Sequence, residues 1–195
     1  MGSFMYKRFI KRILDFILAV IGLIFCIPII IVVSVAIKLD SKGPILFRQK
    51  RFGRNKNFFH IIKFRTMKID APHNVPTHLL KDPKQYWTQT GIFLRKTHLD
   101  EVPQLFNILL GQMSFIGPRP GLWNQDDLIA ERDKYNANDL VPGLTGWAQL
   151  KCGGEIPSEE KARLDSVYVE KISFLFDLQI FFSTLAMFVK SIFKK

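Results

Sequence analysis

The stretch FILAVIGLIFCIPIIIVVSVAI, residues 16–37, contains 22 residues without a charge. As a straight helix rising about 1.5 Å per residue it would reach roughly 33 Å, enough for a hydrocarbon core of about 30 Å. Its length, and the lack of an A-x-A-like site at its end, argue against a cleaved signal peptide. Two features compete with a simple crossing. Pro28 removes a helix hydrogen bond and crowds the preceding turn. Both flanks are basic, with Lys7, Arg8, Lys11 and Arg12 before the run and Lys38, Lys42, Arg48, Lys50, Arg51 and Arg54 after it. Positive flanks favour the cytoplasmic side, so both ends ask for it. A helix that enters, breaks at Pro28 and returns meets both demands. A single span with a tolerated proline also accommodates these residues, and the pattern alone leaves the two open.

The far end repeats the theme. ISFLFDLQIFFSTLAMFVKSIFKK, residues 172–195, is rich in Phe, Leu and Ile but interrupted by Asp177, Gln179, Lys190, Lys194 and Lys195. It is expected to form interfacial amphipathic helix, with a core helix of the globular part as the other reading. Across the chain, 28 Lys and Arg face 17 Asp and Glu, a net charge of +11. That excess calls for an anionic partner: nucleic acid, an acidic membrane surface or phosphorylated small molecules. Cys26 and Cys152 are too few for a disulfide framework and are expected as free thiols. His60, His73, His78 and His98 have no metal-ligand spacing, which argues against zinc. Residues 1–4, ahead of a second Met at position 5, are set aside from the functional reading.

Residues 39–171 form the expected globular part. GPILFRQKRFG and FFHIIKFRTM predict a β-hairpin within 44–67. Residues 70–90, with three prolines, predict a loop over the site, and TGIFLRK a short helix. THLDEVPQLFNIL, residues 97–109, predicts a helix start: Thr97 and Asp100 have capping-box spacing, and Leu105, Phe106, Ile108 and Leu109 supply an apolar face. Acids in a first turn are stabilised by the helix dipole at about 0.3–1 kcal/mol, so Asp100 and Glu101 have a purely structural reading. Their surroundings favour a functional one. Arg95 and Lys96 precede them; MSFIGPRPG (113–121) holds Arg119 between two prolines; VPGLTGWAQLKCGG (141–154) is a Gly-rich connection. Arginine binds phosphate oxygens, often bidentately. One carboxylate holds Mg²⁺ against a diphosphate, and a second is left as a nucleophile.

The ordered set KRILDF, the proline-bearing apolar helix, FRQKRFG, KFRTM, RKTHLDEVPQLFNIL, MSFIGPRP, PGLTGWAQ, LDSVYV and SFLFDLQI resembles the bacterial sugar transferase family, in its small monotopic form. The resemblance runs from about Lys7 to Val189. It implies an α+β, mainly helical fold in three parts: a Pro-broken re-entrant membrane helix (5–38), a catalytic domain with a short hairpin (39–171) and an interfacial helical segment (172–195). It implies a place on the cytoplasmic face of the bacterial inner membrane, and transfer of a sugar-1-phosphate from a UDP-sugar to undecaprenyl phosphate with release of UMP, opening a glycan pathway. N-acetylated amino sugars are the donors expected of small members. Asp100 is implied as the nucleophile that forms a phospho-sugar aspartate, with Glu101 beside it holding Mg²⁺ or positioning the acceptor. Arg95 and Arg119 match phosphate-binding positions. Lys63, Arg65 and Asp165 match positions expected to be functional, without assigned roles. Arg12, next to the membrane, is a candidate for the acceptor phosphate.

Two departures stand out. Ile27-Pro28 replaces the family's frequent Ser-Pro, and LKCGGEIPSEE follows GWAQ where NGRN is common. The second leaves the donor sugar open. Besides donor and acceptor, the expected partners are membrane lipids; no nucleic acid is expected, and the apolar helices leave room for a homodimer. Two other readings remain distinct: a non-catalytic basic adaptor for anionic lipid or nucleic acid, and a direct phosphotransferase without a covalent intermediate.

Overall fold

The computed structural model describes residues 5–72, 82–152 and 156–193. The expected loop over 70–90 and the CGGE segment therefore lie partly outside the described residues, as do residues 1–4 and the last two lysines. In chain order, a π-turn (Tyr6–Ile10) leads into α1 (Lys11–Asp40), followed by the strands β1 (Leu46–Phe52) and β2 (Phe58–Phe64). Helices α2 (Gln89–Thr97) and α3 (Gln104–Leu109) come next, then β3 (Ser114–Ile116), α4 (Asp126–Asp133) and β4 (Gly143–Thr145). The chain closes with α5 (Trp147–Cys152), α6 (Ser158–Lys171) and α7 (Phe174–Phe193). The mainly helical α+β character matches expectation.

α1 is continuous over 30 residues, and Pro28 lies inside it rather than ending it. One face of this helix seals the core. Val33 and Ile37 pack on Phe64 and Leu94. Ala19 packs on Phe59, Ile61, Leu105 and Ile108. Just before the helix, Tyr6 joins Ile116, Leu140, Tyr168 and Phe176. The other face exposes Ile13, Ile17, Ile24, Phe25, Ile31, Val32 and Val35. A contiguous apolar face of this extent marks contact with something other than water.

Both ends of α1 are tied to the same body. Near its start, Arg12 donates to the Ile108 and Leu109 carbonyls at 2.5 and 2.6 Å. Lys11 pairs with Asp177 of α7 at 2.6 Å. Asp177 also accepts from the Tyr6 hydroxyl (2.6 Å) and the Tyr168 hydroxyl (2.7 Å), so one buried carboxylate joins the chain's first element to α6 and α7. At the other end, Asp40 accepts from the Thr90 amide at 2.8 Å. α7 buries Phe176 and Ile180 and exposes Leu175, Phe181, Phe182 and Leu185, the two-sided helix expected of the C-terminal segment.

β1 and β2 pair antiparallel from Leu46↔Phe64 to Phe52↔Phe58, the expected hairpin. Along β2 the period of two buries Phe59 and Ile61 and turns Phe58 and His60 outward. A second, parallel pair of β3 and β4 was not legible beforehand. Its segments are distant in sequence, and three glycines let the backbones meet. A methyl on Gly143 or Gly146 would overlap the backbone of Gly117. Across this contact Gly117 donates to the Thr145 carbonyl and Gly143 to the Pro118 carbonyl, each at 2.9 Å.

Candidate active site

Thr97 does not cap the helix that follows it. It closes α2, its hydroxyl donating back to the Phe93 and Leu94 carbonyls at 2.9 and 3.3 Å. The N-cap of α2 is Thr88, whose hydroxyl accepts from the Gly91 amide. The competing register wins because Gly91 must sit directly against the Thr66 carbonyl, where a side chain would overlap it. His98 then takes a left-handed conformation, φ 55°, and ends the helix. Asp100 and Glu101 follow in a 3₁₀ turn, Leu99–Glu101, with Pro103 leading into α3. The acidic pair thus sits between two helices.

Asp100 and Glu101 line a cavity of about 630 Å³. Lys63, Arg65, Arg95 and Arg119 share its wall with Phe47, Arg51, Trp87 and His98. Glu101 is the hub. Its Oε1 accepts from Lys63 at 2.6 Å and from Arg119 at 2.8 Å. Burial alone would raise its carboxyl; the charges and hydrogen bonds of Arg119 and Lys63 overcome that and hold it well below the usual range. Glu101 in turn raises Arg119, while burial lowers Lys63. Asp100 differs. Burial raises its carboxyl, and the repulsion of Glu101 adds to that, against the opposing charge of Lys63. Adjacent carboxylates are thereby driven apart: one is held as an anion by two cations, and the other carries a raised carboxyl.

The cationic residues have unequal duties. Arg119 donates through one Nη to Glu101, and its side chain is about one-third exposed. Arg95 donates Nε to the Thr66 hydroxyl at 2.9 Å and lies 5.5 Å from the Trp87 ring centroid. Arg65 reaches the cavity wall but spends its guanidinium on the Ser41 and Lys42 carbonyls, at 2.8 and 2.5 Å, fixing the exit from α1. Arg12 and Asp165 do not line the cavity. Arg12 holds the carbonyls at the end of α3, and Asp165 is buried against Arg132. Arg51, Trp87 and Arg132 carried no assignment from sequence. Arg51 was counted in the basic flank of the apolar run and lies in the FRQKRFG motif of the expected hairpin, and Arg132 lies in AERDKY, a segment that drew no reading from sequence.

Among the described residues no group of three or more His, Cys, Asp or Glu is placed to hold a metal. The adjacent carboxylates of Asp100 and Glu101 nevertheless suit Mg²⁺, which takes one or two carboxylates and fills its octahedron with water and substrate phosphate. The donor set fits a cation arriving with a diphosphate better than a permanently caged one.

The chain matches the family model described as bacterial sugar transferase over residues 6–191. A UDP-glucose:undecaprenyl-phosphate glucose-1-phosphate transferase of Escherichia coli K12 is 35% identical, covering 91% of this chain and 40% of that protein. Exopolysaccharide production protein PSS of Rhizobium leguminosarum bv. phaseoli is 36% identical, covering 90% and 92%. An Aeromonas hydrophila protein named for transfer of N-acetylgalactosamine phosphate to undecaprenyl phosphate is 35% identical, covering 91% and 43%. The chain thus spans less than half the length of two of these relatives and nearly all of the third.

Proposed function

Because the chain belongs to the bacterial sugar transferase family, we propose that it transfers a sugar-1-phosphate from a UDP-sugar to undecaprenyl phosphate, releasing UMP, through a covalent intermediate on Asp100. The observation that carries this reading is the divided acidic pair in a cation-walled cavity. Asp100 Oδ attacks the β-phosphorus. The bond from that phosphorus to the bridging oxygen breaks, and UMP leaves with the electron pair. A phosphate oxygen of the acceptor then attacks the same phosphorus, and the Asp100 carboxylate is restored. Arg119 and Arg95 bind the phosphates, where planar guanidinium groups match their oxygens. Glu101 fixes Arg119 and Lys63 beside the reacting phosphorus, so little reorganisation is needed during transfer. Mg²⁺, held by Asp100 and Glu101 with the diphosphate, would neutralise charge on the donor.

The same architecture supports a membrane seating. A helix tied at both ends to one body does not deliver its ends to opposite sides of a bilayer. We read α1 as monotopic and re-entrant, dipping into the inner membrane from the cytoplasmic side with Pro28 in its lipid-facing part. α7 lies at the interface, and lipids cover the exposed apolar faces. The cavity borders the exit from α1 through Phe64 and Arg65, where a lipid-borne phosphate would arrive.

Relatives of similar identity are named for glucose and for N-acetylgalactosamine. The donor proposed, on the tendency of small family members, is a UDP-linked N-acetylated amino sugar, to be tested in a panel scored by UMP release with undecaprenyl phosphate and Mg²⁺. Asp100→Asn is expected to abolish release, and donor labelled in its sugar phosphate is expected to label the wild-type protein when acceptor is withheld. Wild-type rates in Asp100→Asn would remove Asp100 as nucleophile. Turnover without any labelled protein would favour direct transfer. A basic adaptor, by contrast, gives no role to the Lys63–Glu101–Arg119 cluster; it predicts binding that needs no Mg²⁺ and collapses with ionic strength.

A further inference from the structure

We infer that Arg132 is a positioning residue for this reaction: paired with Asp165, it holds the main chain of Arg119 so that the Arg119 guanidinium meets Glu101. The inference rests on the reading of Arg119 and Glu101 as part of the reaction site. Arg132, on α4, is 4% exposed, and Asp165, on α6, is 1% exposed. Arg132 donates Nε and Nη2 to Asp165 Oδ2 at 2.8 and 2.6 Å. The same Nη2 donates to the Arg119 carbonyl at 3.0 Å.

A buried ion pair is a poor way merely to hold two helices together. Well-packed apolar residues do that as well or better, because the charges must first be desolvated. What an apolar pair lacks is a donor for the Arg119 carbonyl. That segment needs one. Pro118 and Pro120 have no N–H to give, and Pro118–Pro120 belongs to no helix or strand. Its three successive carbonyls are instead held from three places. Gly143 of β4 donates to the Pro118 carbonyl at 2.9 Å. Arg132 of α4 takes the Arg119 carbonyl. Arg51 of β1 donates to the Pro120 carbonyl at 3.1 Å. The proline rings fix φ on either side of Arg119, and the carbonyl contacts fix the peptide planes between. The line from Asp165 to the cavity therefore runs through Arg132, the Arg119 backbone and the Arg119 side chain to Glu101. Asp165 acts at a distance, which gives a part to a residue that lies outside the cavity wall.

Two variants test this. Asp165→Asn removes the counter-charge. The paired change Arg132→Met with Asp165→Leu removes both charges but keeps the volume, and so is the one expected to fold if the first does not. Each is purified in detergent and compared with wild type in thermal melting, hydrogen exchange across 117–122, and the rate of UMP release. The paired variant is expected to melt near wild type, exchange faster across 117–122, and release UMP about 100-fold more slowly, the scale of a misplacement near 1 Å. In an Arg119→Lys background the paired change is expected to cost no more than about threefold, since effects within one chain of contacts do not add. A folded paired variant with wild-type rate would overturn the positioning role, and so would unchanged exchange. If neither variant folds, the pair is only a fold determinant and the inference falls. If wild type releases no UMP from any donor, the functional reading fails, and the exchange data still decide whether Arg132 holds the loop.

Discussion

Glu101 takes two cations on a single oxygen, while Asp100, its neighbour in sequence, is left without a hydrogen-bond donor among the described residues. The 3₁₀ turn makes this division possible by pointing consecutive side chains toward different neighbours. One consequence is a pH-dependent contribution to stability. The Glu101 carboxyl is lowered in the folded protein, so its stabilisation is fully present above the unfolded value, about 4.3, and is lost as pH falls through the folded one. Glu101→Gln should therefore destabilise the protein by about 1.5–3 kcal/mol at pH 7, the range for hydrogen bonds to charged groups. The gap from wild type should narrow below about pH 4. Unfolding in detergent across pH 3.5–7 checks this, and a gap that widens on acidification would contradict the ion-pair account. Asp100 runs the other way: burial raises its carboxyl, and in the proposed role of nucleophile it must be ionised to attack. Acid loss of turnover should begin above the ordinary aspartate range, near 4, and Lys63→Met should move it higher still, because Lys63 is the largest influence lowering Asp100.

Among the elements, the β3–β4 contact decides where Arg119 sits. A methyl on Gly146 would overlap the Gly117 carbonyl oxygen, two residues ahead of Arg119. Gly146→Ala is expected to cost at least about 1–3 kcal/mol, as overpacking does, and to lower UMP release more than tenfold by displacing the arginine loop. Gly121→Ala is the control. Its added carbon would meet Leu128 at 3.4 Å, ordinary contact, and melting and activity should stay near wild type. Equal losses in both would mean that the loop tolerates no change anywhere, rather than that the glycine contact places Arg119. These glycines also mark where the sequence stopped being legible. The hairpin was readable because its alternation is local, and the acidic pair because Asp100 and Glu101 stand out in a basic chain. VPGLTGWAQ was readable as Gly-rich and as part of a family-like motif; that its glycines admit the backbone of Gly117 is a long-range fact. Thr97 carried the spacing of an N-cap yet ends a helix, because Gly91 against Thr66 fixes the register from outside the segment. Arg132 and Asp165 lie 33 residues apart, and neither neighbourhood announces the other.

For the molecule as a whole, charge and apolar surface offer two separate ways of holding a membrane, and they respond to different reagents. The net charge of +11 attracts anionic headgroups, but that attraction is screened. At 1 M salt the Debye length is about 3 Å, and most of the long-range pull is gone. The exposed faces of α1 and α7 do not depend on charge. Each methylene they bury in lipid is worth about 0.8 kcal/mol, and together they expose Ile, Leu, Val and Phe side chains along both helices. Washing membranes with 1 M salt should therefore leave the protein in the pellet, and detergent should release it; release by salt alone would mean that charge does the anchoring and would revive the adaptor reading. Topology is the sharper measurement. Asp177 binds Tyr6 and Lys11 to α7 at one end of α1, and Asp40 binds Thr90 at the other, so the two ends move with one body. Cysteines introduced at Lys7 and at Lys42, in a background lacking Cys26 and Cys152, should both resist an impermeant thiol reagent added to intact spheroplasts and both react once the membrane is opened. Labelling of one site and not the other in spheroplasts would require α1 to cross the bilayer. That outcome would break either the Asp177 or the Asp40 contact and put Pro28 inside a true span.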